Sequence, residues 1–469
     1  MKSKFSTVLA VLFIVIVFQL PAQESDTTTM TEAMSLEDCL EYAFVNSENI
    51  QNALLDIQIA KADVGVTKAQ GLPQIDASVV YTNNFAVPTV YLPAGAGDFI
   101  GGGGGNGGQT PSDEEVALRF GIQHQSNATI NASQMIFDGS YFVGLKAARA
   151  FAELTRKDYL LTKSNIAEQV SKAYYTALVT KERTADLESN YQRLDSLLNE
   201  TTLMFENGFA EKIDVDRIKV QYNNAKTQYN NAIRSTEVSL LTLKFQMGMP
   251  IDTEIELSET IKDIEENWSV EDESEFQYED RFEFSQLQQN KELVELDIKN
   301  NRTQYLPKLT ANANFGYNNG ADNLGRLSDL SRWNELGSWG INLSIPIFDG
   351  FLKYNRIQRN KLQLQQLQNS RNLLMNSIDL EIIQARVELE NNVENLEVQR
   401  ENLELAEEVF RVTKIKYQEG VGSNLEVTDA QYALEQAETN YYSAMYDALI
   451  AKVDLQKALG VLIEDPESN

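Results

Sequence analysis

Four short stretches of the chain alternate apolar and polar side chains with a period of two, the mark of a strand with unlike faces. In 75–82, Ile75, Ala77, Val79 and Tyr81 face one way while Asp76, Ser78 and Thr82 face the other. In 122–133, Ile122, Ala128, Ile130 and Ala132 alternate with Gln123, Gln125, Asn127, Thr129, Asn131 and Ser133. In 309–317, Leu309, Ala311, Ala313, Phe315 and Tyr317 alternate with Thr310, Asn312 and Asn314. In 339–347, Trp339, Ile341, Leu343, Ile345 and Ile347 alternate with Asn342 and Ser344. The polar faces carry amides and hydroxyls, and Asp76 is their one charge. A soluble sheet would put many charges on its open face. Uncharged polar groups suit the water-filled lumen of a membrane barrel, whose strands run about 9–11 residues. Tyr81, Tyr317 and Trp339 lie near strand ends, where interfacial aromatics belong. His124, near a strand end on the apolar face, reads as interfacial rather than as a ligand. Four strands cannot close a barrel, since the smallest has about eight, so several chains would have to share one. Pro346, late in its strand, predicts a bulge, whereas Pro73 and Pro307 begin strands, where a missing N–H is tolerated.

Elsewhere the period is helical. Leu36, Leu40, Ala43 and Phe44, then Ile50, Leu54, Ile57 and Ala60, predict a helix over 36–70, opened by a capping box at Ser35-Leu36-Glu37-Asp38. Residues 145–207 and 351–419 contain no Gly and no Pro, and neither do 209–247 and 423–459. At 1.5 Å per residue the long runs reach roughly 95–105 Å, the shorter ones roughly 55–60 Å and 36–70 about 50 Å. Two shorter helices stacked end to end therefore match one long one. Asp138 and Asp349 are N-cap candidates where strand becomes helix. Gly208 and Gly420 interrupt the helical runs, each able to end a helix in the left-handed conformation and reverse the chain.

The chain is written twice. Ile136-Phe137-Asp138-Gly139 recurs as Ile347-Phe348-Asp349-Gly350, Phe205-Glu206-Asn207-Gly208 as Tyr417-Gln418-Glu419-Gly420, and Asp214-Val215 as Glu426-Val427, at offsets of 211 and 212. The expected organisation is a signal peptide at 1–22, a first repeat at 36–250, an acidic insert at 251–283, a second repeat at 284–460 and a tail at 461–469. Lys2 and Lys4 followed by the apolar run Val8 to Leu20 read as a secretory signal, too short to span a bilayer. Gly101 to Gly108 reads as a flexible loop, because it lacks the ending of a phosphate-binding loop. Between Asp252 and Glu283 stand fourteen acidic and two basic residues with Trp268, Phe276, Tyr278 and Phe282, a solvated side element held by its aromatics, with no calcium-loop pattern.

Charge narrows the partners. With 69 acidic and 40 basic residues the net charge is −29, which argues against nucleic acid. One His and one Cys exclude a Cys/His zinc site, a His-based triad and an intrachain disulfide, so no catalytic residue, cofactor or metal is expected.

The duplicated order of helix, strand pair, long helix and short helix resembles the TolC-type outer membrane efflux and secretion family. So do Leu72-Pro73 and Leu306-Pro307 at strand starts, Asp138-Gly139 and Asp349-Gly350 at strand-to-helix junctions, and the Tyr417-x-x-Gly420 turn. The resemblance covers about 36–460. It implies a mainly helical chain with membrane β-strands, and a homotrimer whose four strands per chain form a twelve-stranded barrel in outer-membrane lipid. It implies an α-barrel continuing across the periplasm, docking a periplasmic adaptor and an inner-membrane pump or exporter for passive export. It also implies adaptor docking at Gly208, Phe209, Ala210, Gly420, Val421, Gly422 and Ser423, and an acidic constriction at Glu426 and Asp429, with Asp214 as first-copy equivalent. Glu426 and Asp429 share a helix face at i and i+3, although Ser423-Asn424-Leu425-Glu426 also reads as a capping box. At Gly422 the chain departs from the family, where a basic residue can latch the tip; Lys212 and Arg217 are substitutes only by proximity. A trimeric adhesive coiled coil with a small β anchor is the alternative. It needs strict heptads, which Leu362, Leu364, Leu367, Leu373 and Leu374 do not keep.

Overall fold

The computed structural model describes residues 33–92, 116–119, 121–261, 264, 268 and 276–463. The expected signal peptide, the Gly-rich run 101–108 and most of 262–275 lie outside the described residues. In chain order the elements are β1 (Ala33–Met34), α1 (Leu36–Asn46), α2 (Glu48–Ala69), β2 (Gln74–Asn83), β3 (Thr89–Leu92), β4 (Val116–Arg119), β5 (His124–Phe137), α3 (Gly139–Glu206) and α4 (Lys212–Met247). There follow β6 (Glu256–Leu257), α5 (Phe282–Thr303), β7 (Lys308–Ala321), β8 (Asn334–Ser344), α6 (Leu352–Gln418) and α7 (Asn424–Leu459).

The main sheet has the order β2-β5-β7-β8, antiparallel throughout. Its register stacks like with like. One row runs Ile75, Ala132, Ala313, Trp339, and the next runs Asp76, Asn131, Asn314, Ser338. The apolar row lies open, with Ile75 at 71% and Trp339 at 81% exposure. On the polar face Asn131 Nδ2 donates to Asp76 Oδ2 at 3.0 Å. His124 joins Tyr81 on the other face, stacked and hydrogen-bonded through Nδ1 at 2.9 Å. Two strand expectations need correction. The second strand starts at His124 and runs on to Phe137. The fourth spans Asn334–Ser344 instead of 339–347, because its partner β7 begins at Lys308, just after Pro307, and Ser344 is the last residue with a mate. Pro346 thus lies beyond the strand and makes no bulge; the irregular pairing occurs between Met135 and Phe137 in β5.

The two halves match in length: 22, 68 and 36 residues for α2, α3 and α4, against 22, 67 and 36 for α5, α6 and α7. α3 and α6 each extend about 100 Å. The helix expected over 36–70 is broken at Ser47, whose backbone is extended. Gly248, which ends α4 in the left-handed conformation, packs there; a Cβ on it would stand 2.8 Å from the Ser47 Cα. Gly460 at the end of α7 abuts the Asp280 carbonyl in the same way. Each shorter helix therefore ends against the start of the other short helical segment in its own half, which is the end-to-end stacking that the lengths predict. The Ser35 capping box forms, with Asp38 N–H donating to Ser35 Oγ at 3.2 Å and Ser35 N–H to Asp38 Oδ2 at 2.9 Å.

Of four apolar cores among the described residues, two fix the helices at the waist and at the tip. The waist core joins Cys39 and Ile50 to Val170–Val179 of α3, Leu243 and Met247 of α4, and Tyr442–Val453 of α7. The acidic insert attaches here: β6 pairs with β1, Leu257 enters the core and Trp268 packs on it. A tip core joins Leu194, Leu197, Ile218, Phe410, Val427 and Leu434 from four helices. An apolar stripe on α6 stays open: Leu362, Leu373, Leu380, Val387, Val398 and Leu405, at steps of 7 and 11 that keep one helix face. No helix among the described residues is long and apolar enough to cross a membrane.

Candidate functional site

The two helical turns at the end remote from the sheet share one construction. Phe209 N–H bonds back to the Met204 carbonyl and Gly208 N–H to Phe205; Val421 N–H bonds to Lys416 and Gly420 N–H to Tyr417. These are Schellman caps, and Gly208 and Gly420 take φ +81° and +75° to make them. Past each cap an apolar side chain stands in solvent, Phe209 at 84% and Val421 at 80% exposure. Ala210 is half-buried and Ser423 is exposed. Gly422 is tight rather than strained: a Cβ there would meet the Lys416 Cβ at 3.0 Å. A basic latch side chain there would have to push the Lys416–Tyr417 backbone aside by a few tenths of an ångström.

The acids behind the turns divide into two kinds. Asp214 is used locally, because its Oδ2 accepts from Glu211 N–H at 3.1 Å and helps cap α4. Its backbone carbonyl accepts from Asn424 Nδ2 at 3.4 Å, which ties the start of α7 to the start of α4. Ser423 Oγ accepts from Glu426 N–H at 3.2 Å, capping α7, but the returning carboxylate bond of a capping box is not formed. Glu426 and Asp429 are both exposed, so their carboxylates remain available on one face of α7.

At the sheet end, Asp138 caps α3, its Oδ1 accepting from Ser140 N–H at 2.9 Å, and it pairs with Lys308 Nζ at 2.8 Å. Gly139 is buried at the helix start, against Leu306 and Thr303. The second junction differs. Phe351 is the N-cap residue of α6, at φ +65°, beside Gly350, also at φ +65°. Asp349 reaches past it, its Oδ2 accepting from Lys353 N–H at 3.1 Å. The capping role expected of Asp349 is thus exercised from two residues further upstream.

The family profile described as "Outer membrane efflux protein" matches residues 40–249 and 278–461. The chain belongs to that family. It is an outer-membrane efflux or secretion channel, and not an enzyme. It is 19% identical over 340 residues to the outer membrane protein TolC of Vibrio cholerae, covering 72% of this chain and 77% of that one. It is 22% identical over 351 residues to the alkaline protease secretion protein AprF of Pseudomonas aeruginosa, covering 72% and 70%. The crystal structure of the open state of the Neisseria gonorrhoeae MtrE outer membrane channel superposes with a TM-score of 0.69 at 17% identity, covering 95% of each chain.

Pattern reading of the channel's sequence missed the polar contacts that join its halves. Asn424 is buried, and its Oδ1 also accepts from Thr428 Oγ1 at 3.2 Å. Glu438 is buried beside Arg193. One signal could have found it: Leu434, Glu438, Tyr442 and Met445 share one helix face, with a carboxylate in an otherwise core-facing row.

Proposed function

We propose that three copies of this channel close a twelve-stranded barrel and form a passive export duct, gated at the far tip. One observation carries the assembly. The four-stranded sheet has an exposed apolar face suited to lipid, but β2 and β8 are edges without strand partners among the described residues. Unpaired backbone groups in hydrocarbon cost several kcal/mol each, so the edge of one copy must pair with that of the next. The open stripe on α6 supports the same packing lower down. The matched helix lengths support the division into repeats at 36–250 and 284–460 around the 251–283 insert. Native mass spectrometry in detergent would give a trimer; a stable monomer would overturn the reading.

The exposed Phe209 and Val421 turns, with Gly208, Ala210, Gly420, Gly422 and Ser423 shaping them, would dock a periplasmic adaptor, which couples the duct to an inner-membrane pump or exporter. AprF is named for protease secretion and the family for efflux, so the duct reading accommodates either supply. Photo-crosslinkers at Phe209 or Val421 should capture the adaptor in cells, and cross-links at neither would sink the docking. The gate rests on Glu426 and Asp429, with Asp214 committed to its cap. Brought together by threefold symmetry, six carboxylates would attract cations and repel anions. Opening would be a movement of α6 and α7 outward. Replacing Glu426 and Asp429 by Ala should weaken divalent-cation block of single-channel current about tenfold; unchanged block would remove the ring.

A further inference from the structure

Between waist core and tip core, α3 of the first half meets α7 of the second along a polar line. Tyr442 donates its phenol to Asp186, Arg193 Nη2 reaches Glu438 Oε1 at 3.1 Å, and Gln431 Nε2 donates to Asn190 Oδ1 at 2.8 Å. Asn190 and Gln431 are 0% and 2% exposed. Three atoms of this seam, Asn190 Nδ2, Arg193 Nε and Gln431 Oε1, are buried with no partner. Each such atom is costly when kept from water. Water admitted to the seam would satisfy all three. Opening here therefore has a compensation that opening an apolar core lacks.

Glu438 is the group whose ionisation depends most on that water. From α3 it faces Arg193 and Asp186, from α6 Glu407, and on its own helix Tyr442 is already committed to Asp186. Burial pushes its carboxyl up, Arg193 opposes this, and Asp186 and Glu407 add to it, leaving it at about 7. Among these groups, one guanidinium stands with three carboxylates.

We propose that this seam is a proton-operated latch on the tip: Glu438 holds a proton while α7 lies against α3 and releases it when the α6–α7 pair swings away and water enters. The inference rests on the duct reading above and adds its regulation. The sign follows from linkage. The shut seam binds the proton more tightly than the hydrated one, so acid favours the shut state and alkali frees it. Protonation does weaken the pair with Arg193, but relief from desolvation is the larger effect. With a carboxyl near 7 shut and near 4.5 hydrated, the shut-to-open ratio should fall about thirtyfold from pH ~5.5 to pH ~8.

The test is single-channel recording of the purified channel in planar bilayers across that range, for wild type and Glu438→Gln. Wild type should open more often as pH rises through 7, while the Gln variant, permanently neutral, should keep the low-pH behaviour throughout. The same pH response in both would overturn the latch. The series is repeated with Glu426→Ala and Asp429→Ala, where a response belonging to the ring disappears and the latch response persists. Loss of the ring's cation block without loss of the Glu438 response separates the two ideas. Conductance at no pH would overturn the duct reading and the latch with it. Infrared titration gives an independent readout: a carboxylic acid C=O band lost near pH 7 in wild type and missing from Glu438→Gln supports the latch. Identical band titrations in the two proteins would overturn it.

Discussion

Gly208 and Gly248 both hold a left-handed conformation past the end of a helix, but only one has room for a methyl group. At Gly208 a Cβ would meet nothing within 4 Å, so Gly208→Ala carries only the backbone penalty, about 1 kcal/mol. At Gly248 the Cβ would press on the Ser47 Cα at 2.8 Å and the Asn46 carbonyl at 2.9 Å, backbone that cannot rotate away. Gly248→Ala should cost about 2–4 kcal/mol. Thermal melting followed by helical circular dichroism should rank the two, with Gly208→Ala close to wild type. Equal melting points would mean that α4 does not lean on the Ser47 break. The same contrast explains two glycines that look identical in sequence: one lets the chain turn, and the other lets helices meet.

At the scale of elements, α3 and α7 are pinned near the waist by a charged cluster. Glu168 lies between Lys457 and Lys172, and Lys172 also reaches Asp454 at 2.6 Å. Burial alone would raise the Glu168 carboxyl, but the two ammonium groups outweigh it and hold the carboxyl below its ordinary range. Its contribution is therefore complete above the unfolded value of about 4.5 and is lost as pH falls through the lower folded value. Glu168→Gln should lose about 1.5–3 kcal/mol at neutral pH and little in strong acid, once the carboxyl is protonated in the folded chain too. Melting at both pH values checks this, and a gap that persists in acid would contradict it. How far these elements were legible depends on what sets them. Strand faces and breaker-free helices follow from local period, so 351–419 anticipated α6 to within a residue at each end and 145–207 anticipated α3, which starts six residues earlier and runs through Gly144. Ser47 was illegible because a distant glycine shapes the break. The early end of β8 was illegible because β7 sets it. The open stripe on α6 escaped a strict heptad count because its steps mix 7 and 11. At the tip the repeat located both turns and both acidic positions. Which acid was free depended on hydrogen bonds that the repeat cannot carry.

At the scale of the molecule, the exposed apolar rows define a band that lipid must cover. Ile341 lies in that band, at 63% exposure. Ile341→Arg should cost about 2–4 kcal/mol of insertion if the residue sits near the bilayer centre. Fractionation of cells expressing the variant should show less channel in the outer membrane, whereas Asn342→Arg, next along β8 on the polar face, should insert normally. Equal insertion of both would put lipid on the wrong side of the sheet. The divergence between Asp214 and Glu426 carries a consequence for symmetry. In the proposed trimer, a chain written twice would give a wall of six similar helical units. At the equivalent positions 214 and 426, the first unit spends its carboxylate on a cap and the second leaves it free. The outline of the mouth would then repeat every 60°, while its charge would repeat every 120°. An ion at its centre would feel a field of three lobes inside a rim of six.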